Sequence, residues 1–292
     1  MLYAYRSYMD YTFGKDVYLT RKLLALTQKE LASILSVDQS RISRWEKELE
    51  MPEAKNLQDF YLYAYSAGID LNYIKSQFYF EDSLNRGLLL LFHGSKSGIK
   101  GTVKHDVNRE SNDFGLGFYC GDSFKQSRMF ISNYDKGCVY IAELNETGLK
   151  ESSYTVNTDW MLSVAYHRGK LKNYQNSLIL KDILNKHEDT DVIKAPIADN
   201  RMYRIIDDFI DGLITDKQAE HALSATDLGM QYILRTPKAI ANLYIKERCF
   251  LSAKEKNYYM DLKRKDRKQS VMKAEAARIK YRREGKYIDE LL

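Results

Sequence analysis

LTRKLLALTQKELASILSVDQSRISRWEKELEMP, Leu19 to Pro52, decides the N-terminal fold. Leu31, Ala32 and Leu35 fall on one helical face, and Ile42 with Trp45 on another, so two short amphipathic helices share a core. Thr27, followed three residues later by Glu30, is a capping box: each side chain accepts a hydrogen bond from the other residue's backbone N–H and fixes where the helix starts. Ser36-Val37-Asp38 leaves a short turn, with Asp38 placed to cap the second helix. The pattern is a helix-turn-helix.

Outward from this stretch the chain separates by pattern into a helical block at 1–80, a mixed block at 86–245 and a basic helical extension at 246–292. The seam falls at Phe80 to Gly87, FEDSLNRG, a polar cluster ending in glycine before the Leu88 to Phe92 run. Short β-branched and aromatic runs predict strands over 88–92, 116–120, 137–143, 191–198 and 229–234. Helices are expected over 122–132, 157–170, 176–186, 199–211, 215–223 and 237–244, with Asp122, Asn157, Asn176 and Thr236 as capping types. The strand spacing is too irregular for a doubly wound sheet, which makes the fold class α+β.

With 292 residues and 44% apolar content, the chain can fill two cores. Its strongest aliphatic run, Leu88 to Phe92, is five residues, far short of the roughly 18 a membrane helix needs. The opening MLYAYRSYMDY has no export-signal pattern, so the expected location is the cytoplasm, with no membrane partner. Cys120, Cys138 and Cys249 form no CxxC and read as buried thiols; the five histidines show no metal-ligand spacing, so no metal is expected. Residues 251–292 carry a net charge of +6 against +5 for the whole chain, so the basicity belongs to the extension. Such a run is a solvated helical face or a nucleic-acid contact, and charge alone does not choose.

The opening Thr-Gln-x-Glu-Leu-Ala at Thr27 to Ala32, the Trp45-Glu46 pair and the following Pro52 resemble the Cro and phage-repressor helix-turn-helix. The resemblance implies DNA as partner, with Gln39 to Glu48 as recognition helix. Gln39, Ser40, Ser43 and Arg44 would then meet base edges and Gln28 a phosphate; Gln suits adenine and Arg suits guanine. Because repressors of this type usually work as dimers on paired half-sites, the resemblance also implies a homodimer.

In the mixed block an apolar strand runs into His93-Gly94-Ser95, followed by Asp113-Phe-Gly-Leu-Gly-Phe-Tyr119-Cys-Gly121 and a helix carrying Ser123, Ser127 and Phe130 on one face. Neither glycine cluster is a nucleotide fingerprint. Gly115 to Gly121 is one residue too long for GxGxxG, and Gly94 to Gly101 lacks the Gly-Lys-Ser/Thr end of a phosphate loop. The set resembles the His-Tyr-Glu branch of the ADP-ribosyltransferase superfamily, over roughly residues 89 to 245. That resemblance implies a split β-sandwich with helices, and NAD as substrate. It places NAD at the strand end His93-Gly94-Ser95, with His93 on the adenosine ribose and the Gly94 backbone on the nicotinamide carboxamide. Tyr119 would stack on the nicotinamide, with Ser127 and Phe130 at the family's offsets; a cationic pyridinium is well held between rings.

The third family residue is a glutamate on a later strand. Here the match is Gln231, in Gly229-Met-Gln231-Tyr-Ile-Leu, as in a bacterial subfamily of unknown function that also ends a strand like Asp191 to Asp199. The implied catalytic set is His93, Tyr119 and Gln231. Glutamine orients a ribose by hydrogen bonds but brings no charge to a developing oxocarbenium ion, and Gln231→Glu would add one. Asp113 reads instead as a turn or cap residue.

The resemblance implies an NAD-dependent mono-ADP-ribosyltransferase tethered to DNA, in a toxin-antitoxin or phage-defence setting. Its partners would be a cognate antitoxin protein and an ADP-ribose acceptor, either protein or nucleic acid. The alternative is a transcriptional regulator whose second domain binds NAD or a partner protein without catalysis.

Overall fold

The computed structural model describes residues 11–106, 112–198, 200–225 and 229–292. In chain order its elements are α1 (Phe13–Leu23), α2 (Gln28–Leu35), α3 (Gln39–Glu46), α4 (Ala54–Ser66), α5 (Leu71–Asn85), β1 (Leu89–Ser95), β2 (Phe118–Gly121), α6 (Phe124–Ile131), β3 (Cys138–Leu144) and β4 (Glu151–Ser153). There follow α7 (Thr158–His167), α8 (Leu178–Asn185), β5 (Val192–Pro196), α9 (Asn200–Ile210), α10 (Asp216–Ser224), β6 (Met230–Leu234), α11 (Pro237–Ala241), β7 (Leu243–Phe250), α12 (Ala253–Lys280) and α13 (Ile288–Leu291). The class is α+β. The chain divides into two compact units: one takes the residues up to Lys100 with Ser127–Glu143 and Ile245–Asp261, and the other takes Gly101–Gln126, Leu144–Tyr244 and Leu262–Leu292.

The first unit holds the helix-turn-helix. Phe13, Val17, Leu31, Ile42, Trp45 and Phe60 are buried together, so α1, α2, α3 and α4 share the core that the apolar spacing predicts. The Thr27–Glu30 capping box is present. Asp38 does stand at the start of α3, but its side chain makes no capping hydrogen bond. α5 runs through most of the expected seam at Phe80 to Gly87 and ends at Asn85. The strands of this unit lie in the order β1-β3-β7. The third was missed: β7 carries Lys246-Glu247-Arg248 at its centre and reads as the start of the basic extension.

The polar residues of α5 explain why β7 was not expected and how a helix runs through so polar a segment. Lys75 is buried and donates to Asp16 at 2.7 Å and to Glu247 at 2.9 Å, while Tyr79 donates to the other Glu247 oxygen. Two turns on, Ser83 donates to buried Glu143, which also pairs with Arg86 and Lys246. A second buried group joins Arg128 to Asp70 and Glu255. Charged residues that look solvated in sequence therefore form the interior contacts of α5, β3 and β7.

In the second unit the strands lie in the order β4-β5-β6-β2, with β4 parallel to β5 and the other pairs antiparallel. β4 is three residues long and was not expected. Trp160, Met161, Val164, Phe209, Ala219, Leu223 and Ile233 build a large apolar core from α7, α9, α10 and β6. Asn157 and Thr236 cap α7 and α11 as expected. Two other caps shift by one residue: Ser177, not Asn176, caps α8, and Ser123 accepts from Gln126 N at the start of α6, while Asp122 accepts from Met230 N. All three cysteines are buried thiols.

Candidate functional site

Three groups of side chains carry the chemistry read from the sequence. On the helix-turn-helix, Gln39, Ser40 and Arg44 are exposed at the start and outer face of α3, with Ser43 half-buried beside them. Arg21 pairs with Glu46 at 2.7 Å, Gln28 donates to Glu46 at 2.8 Å, and Gln39 donates to the Gln28 carbonyl oxygen at 3.0 Å. Glu46 is thus occupied within the motif and fixes the glutamine pair. Arg44 donates to Glu50 at 2.7 Å, an exposed pair that a phosphate or guanine can displace at little cost.

The second group is also in the first unit. β1 ends in His93, Gly94 and Ser95, all half-buried, and the His93 ring lies 6.3 Å from the ring of Tyr140. A Cβ at Gly94 would stand 3.0 Å from the Phe130 ring and 3.2 Å from the Ser127 carbonyl oxygen, so α6 packs directly on this strand end and a side chain is excluded there. The structure therefore brings Gly94, Ser127 and Phe130 together. The Ser127 hydroxyl is turned inward and donates to the Phe92 carbonyl at 3.4 Å. Phe130 is 50% exposed, with the Lys96 ammonium 5.8 Å from its ring centroid and 4.9 Å from that of Tyr134.

The third group lies in the second unit. Tyr119 on β2 donates from its hydroxyl to Gly115 O at 2.8 Å and accepts from Phe114 N at 3.2 Å; burial pushes the phenol well above its ordinary range. A Cβ at Gly117 would be 2.4 Å from Ile233 Cγ2, so this glycine serves the packing of the segment against β6. Gln231 pairs in register with Gly121 and is buried. Its amide nitrogen donates to Asp113 Oδ2 at 3.3 Å and to Pro196 O at 3.0 Å. Asp113 is itself buried and also accepts from Tyr203 OH at 2.8 Å and from Arg168 at 3.4 Å. The Arg168 guanidinium stacks 3.6 Å from the Tyr203 ring centroid. Burial raises the Asp113 carboxyl above the usual carboxylate range, against the pull of Tyr203, Gln231 and Arg168.

Lys96, Arg168 and Tyr203 were not singled out from the sequence, and Asp113 was read as structural. The one available signal was the position of Asp113 at the head of the Tyr119 segment. Asp199 and the side chain of Arg201 lie outside the described residues. Among the described residues no helix is long and apolar enough to cross a membrane. Nor does any group of three or more His, Cys, Asp or Glu among them lie placed to hold a metal.

Residues 17–60 match a family model described as helix-turn-helix. Residues 89–245 match one described as a protein of unknown function, DUF3990. No curated protein and no solved structure matches the chain.

Proposed function

We propose that this chain, which belongs to the DUF3990 family of proteins of unknown function, is a DNA-tethered mono-ADP-ribosyltransferase that takes NAD as substrate. Gln39, Ser40, Ser43 and Arg44 read base edges and Gln28 meets a phosphate. The domain over 89–245 takes the ADP-ribosyltransferase-like fold. NAD supplies an activated N-glycosidic bond: nicotinamide leaves with the bonding electron pair, and a nucleophile on a protein or nucleic acid bonds to the ribose carbon and gives its proton to solvent. His93, Gly94 and Ser95 hold NAD, Tyr119 and Phe130 offer rings to the pyridinium, Ser127 holds α6 against β1, and Gln231 accepts from the ribose hydroxyl.

The observation that carries this reading is the seat of Gly94. Ser127 and Phe130 fill the space a Cβ would need there, so α6 is seated directly on the strand end that this reading gives to NAD and carries the half-exposed Phe130 ring beside it. The biological setting that suits such an enzyme is a toxin-antitoxin or phage-defence system in the cytoplasm, with a cognate antitoxin as restraint.

Incubation of the purified protein and a cell lysate with labelled NAD tests the reading. We expect label on a macromolecule and released nicotinamide, both lost in His93→Ala. Label that persists in His93→Ala overturns the site assignment.

One observation favours a second reading. The Lys96 ammonium over Phe130 occupies a ring face that a pyridinium cation needs, and Gln231 is neutral. A regulator that binds NAD or a partner protein without turnover accommodates both. NAD binding by calorimetry without nicotinamide release selects it.

A further inference from the structure

The Gln231 carboxamide has two N–H donors, and both are used, on Asp113 Oδ2 and on Pro196 O. Both partners are acceptors, so a flipped amide would set its oxygen against a carboxylate and a carbonyl; the orientation is fixed by the network. The remaining polar atom, Oε1, makes no hydrogen bond among the described residues. Gln231 is thus a pre-set acceptor whose donors are spent behind it.

What stands behind it is a charge. Asp113 is 7% exposed, and two of its three donors, Gln231 and Tyr203, are neutral. The third, Arg168, approaches with one nitrogen at 3.4 Å, whereas buried Lys75 sits at 2.7 and 2.9 Å from its two carboxylates. Arg168 meets Asp113 through one long contact, and the other two hydrogen bonds come from neutral groups, so part of the charge is directed at the Gln231 amide. A negative charge accepting from the amide N–H polarises the amide and leaves its oxygen a stronger acceptor.

We propose that Asp113 is a positioning residue that acts through Gln231: it locks the amide with Oε1 presented to the ribose hydroxyl of NAD and supplies, one hydrogen bond away, the negative field that glutamine lacks. The assignment rests on the transferase reading above. It also reverses the simple expectation for Gln231→Glu. A glutamate there places two carboxylates about 3.3 Å apart, which compete for one proton, so the single change does not help. Paired with Asp113→Asn, the same glutamate accepts from the asparagine amide and carries the charge itself.

The experiment uses the full chain as wild type, Asp113→Asn, Gln231→Glu, the double variant and Tyr203→Phe, reading nicotinamide release, NAD affinity by calorimetry and thermal midpoint. Asp113→Asn should keep NAD affinity and lower release by about 10- to 100-fold. Gln231→Glu should also fall, and the double variant should recover to wild-type release or above. Tyr203→Phe, which loosens Asp113 but keeps its charge, should lie between wild type and Asp113→Asn. Asp113→Asn with wild-type release, or a double variant no better than the product of the single losses, overturns the positioning role while leaving the transferase reading intact. Wild type that neither binds NAD nor releases nicotinamide overturns both. If Asp113→Asn loses its thermal transition, Tyr203→Phe and Gln231→Glu decide: release at the wild-type level in both overturns the positioning role.

Discussion

The interiors of the two units are built on different terms. In the first, Asp16, Lys75, Glu143, Glu247, Arg128 and Glu255 are all buried, and each meets at least one opposite charge. In the second, a larger apolar core surrounds Asp113, whose closest donors are neutral. Paired interior charges hold elements in register and are costly to break; a buried carboxylate whose shortest hydrogen bond comes from a neutral hydroxyl, with its cation at 3.4 Å, keeps part of its charge for the groups beside it. Burial alone therefore does not mark a functional acid. Its partners do.

The largest effect should come from removing one side of the paired set. Lys75→Met leaves Asp16 and Glu247 buried against each other and should cost the first unit about 3 to 5 kcal/mol in denaturant unfolding. A loss below about 1 kcal/mol would mean that water reaches these carboxylates and that the contrast between the units is false.

Acidity sharpens the contrast next. Burial, with Asp70 adding repulsion, raises the Glu255 carboxyl to about 7 from its ordinary 4.5. The folded form therefore takes up a proton first, and this stabilisation is complete below about pH 4.5 and lost as pH rises through 7. Burial, with Arg235 adding to it, lowers His167 to about 4 from 6.5. That contribution is present above about pH 6.5 and lost as pH falls toward 4. Each is on the order of 2 to 3 kcal/mol. Stability profiles of Glu255→Gln and His167→Asn, subtracted from wild type, should therefore slope in opposite directions; equal signs would contradict one of the two environments.

Smaller effects test the recognition surface and the helix ends. Arg44→Ala with Gln39→Ala should cost about 1 to 3 kcal/mol of base discrimination for each bidentate hydrogen-bond pair removed. Sequence-selective binding that survives both changes rejects α3 as the reading helix. A threonine capping box stands in each unit, exposed at Thr27–Glu30 and buried at Thr215–Gln218. Thr27→Ala should cost about 1 kcal/mol by thermal unfolding, and Thr215→Ala more, because it also strips a donor from the Glu284 carbonyl.

The sequence was legible where a local pattern fixed the outcome. Leu31, Ile42 and Trp45 announce the helix-turn-helix, and the runs behind β1, β2, β3, β5 and β6 announce strands because their apolar residues face a core. It was not legible where burial depended on a distant partner. β7 hides Glu247 only because Lys75 waits for it, so Lys-Glu-Arg looked like a solvated helix. α5 crosses the expected seam for the same reason. Of the candidate site, the helical spacing sets Ser127 and Phe130 on α6, and the structure seats both beside Gly94 with the Ser127 hydroxyl on the Phe92 carbonyl. Asp113 and Gln231 stand 118 residues apart, and no local motif joins them.

The Lys75–Glu247 pair also sets an order of events during synthesis. The two residues are 172 positions apart. At roughly 5 to 20 residues per second a ribosome delivers the second about 10 to 30 s after the first. The helix-turn-helix has its apolar core in hand throughout that interval, while α5 carries an ammonium with Asp16 but without Glu247. The N-terminal helices can thus be complete as a motif well before their own unit is closed, and the late strand β7 is the step that ends the wait.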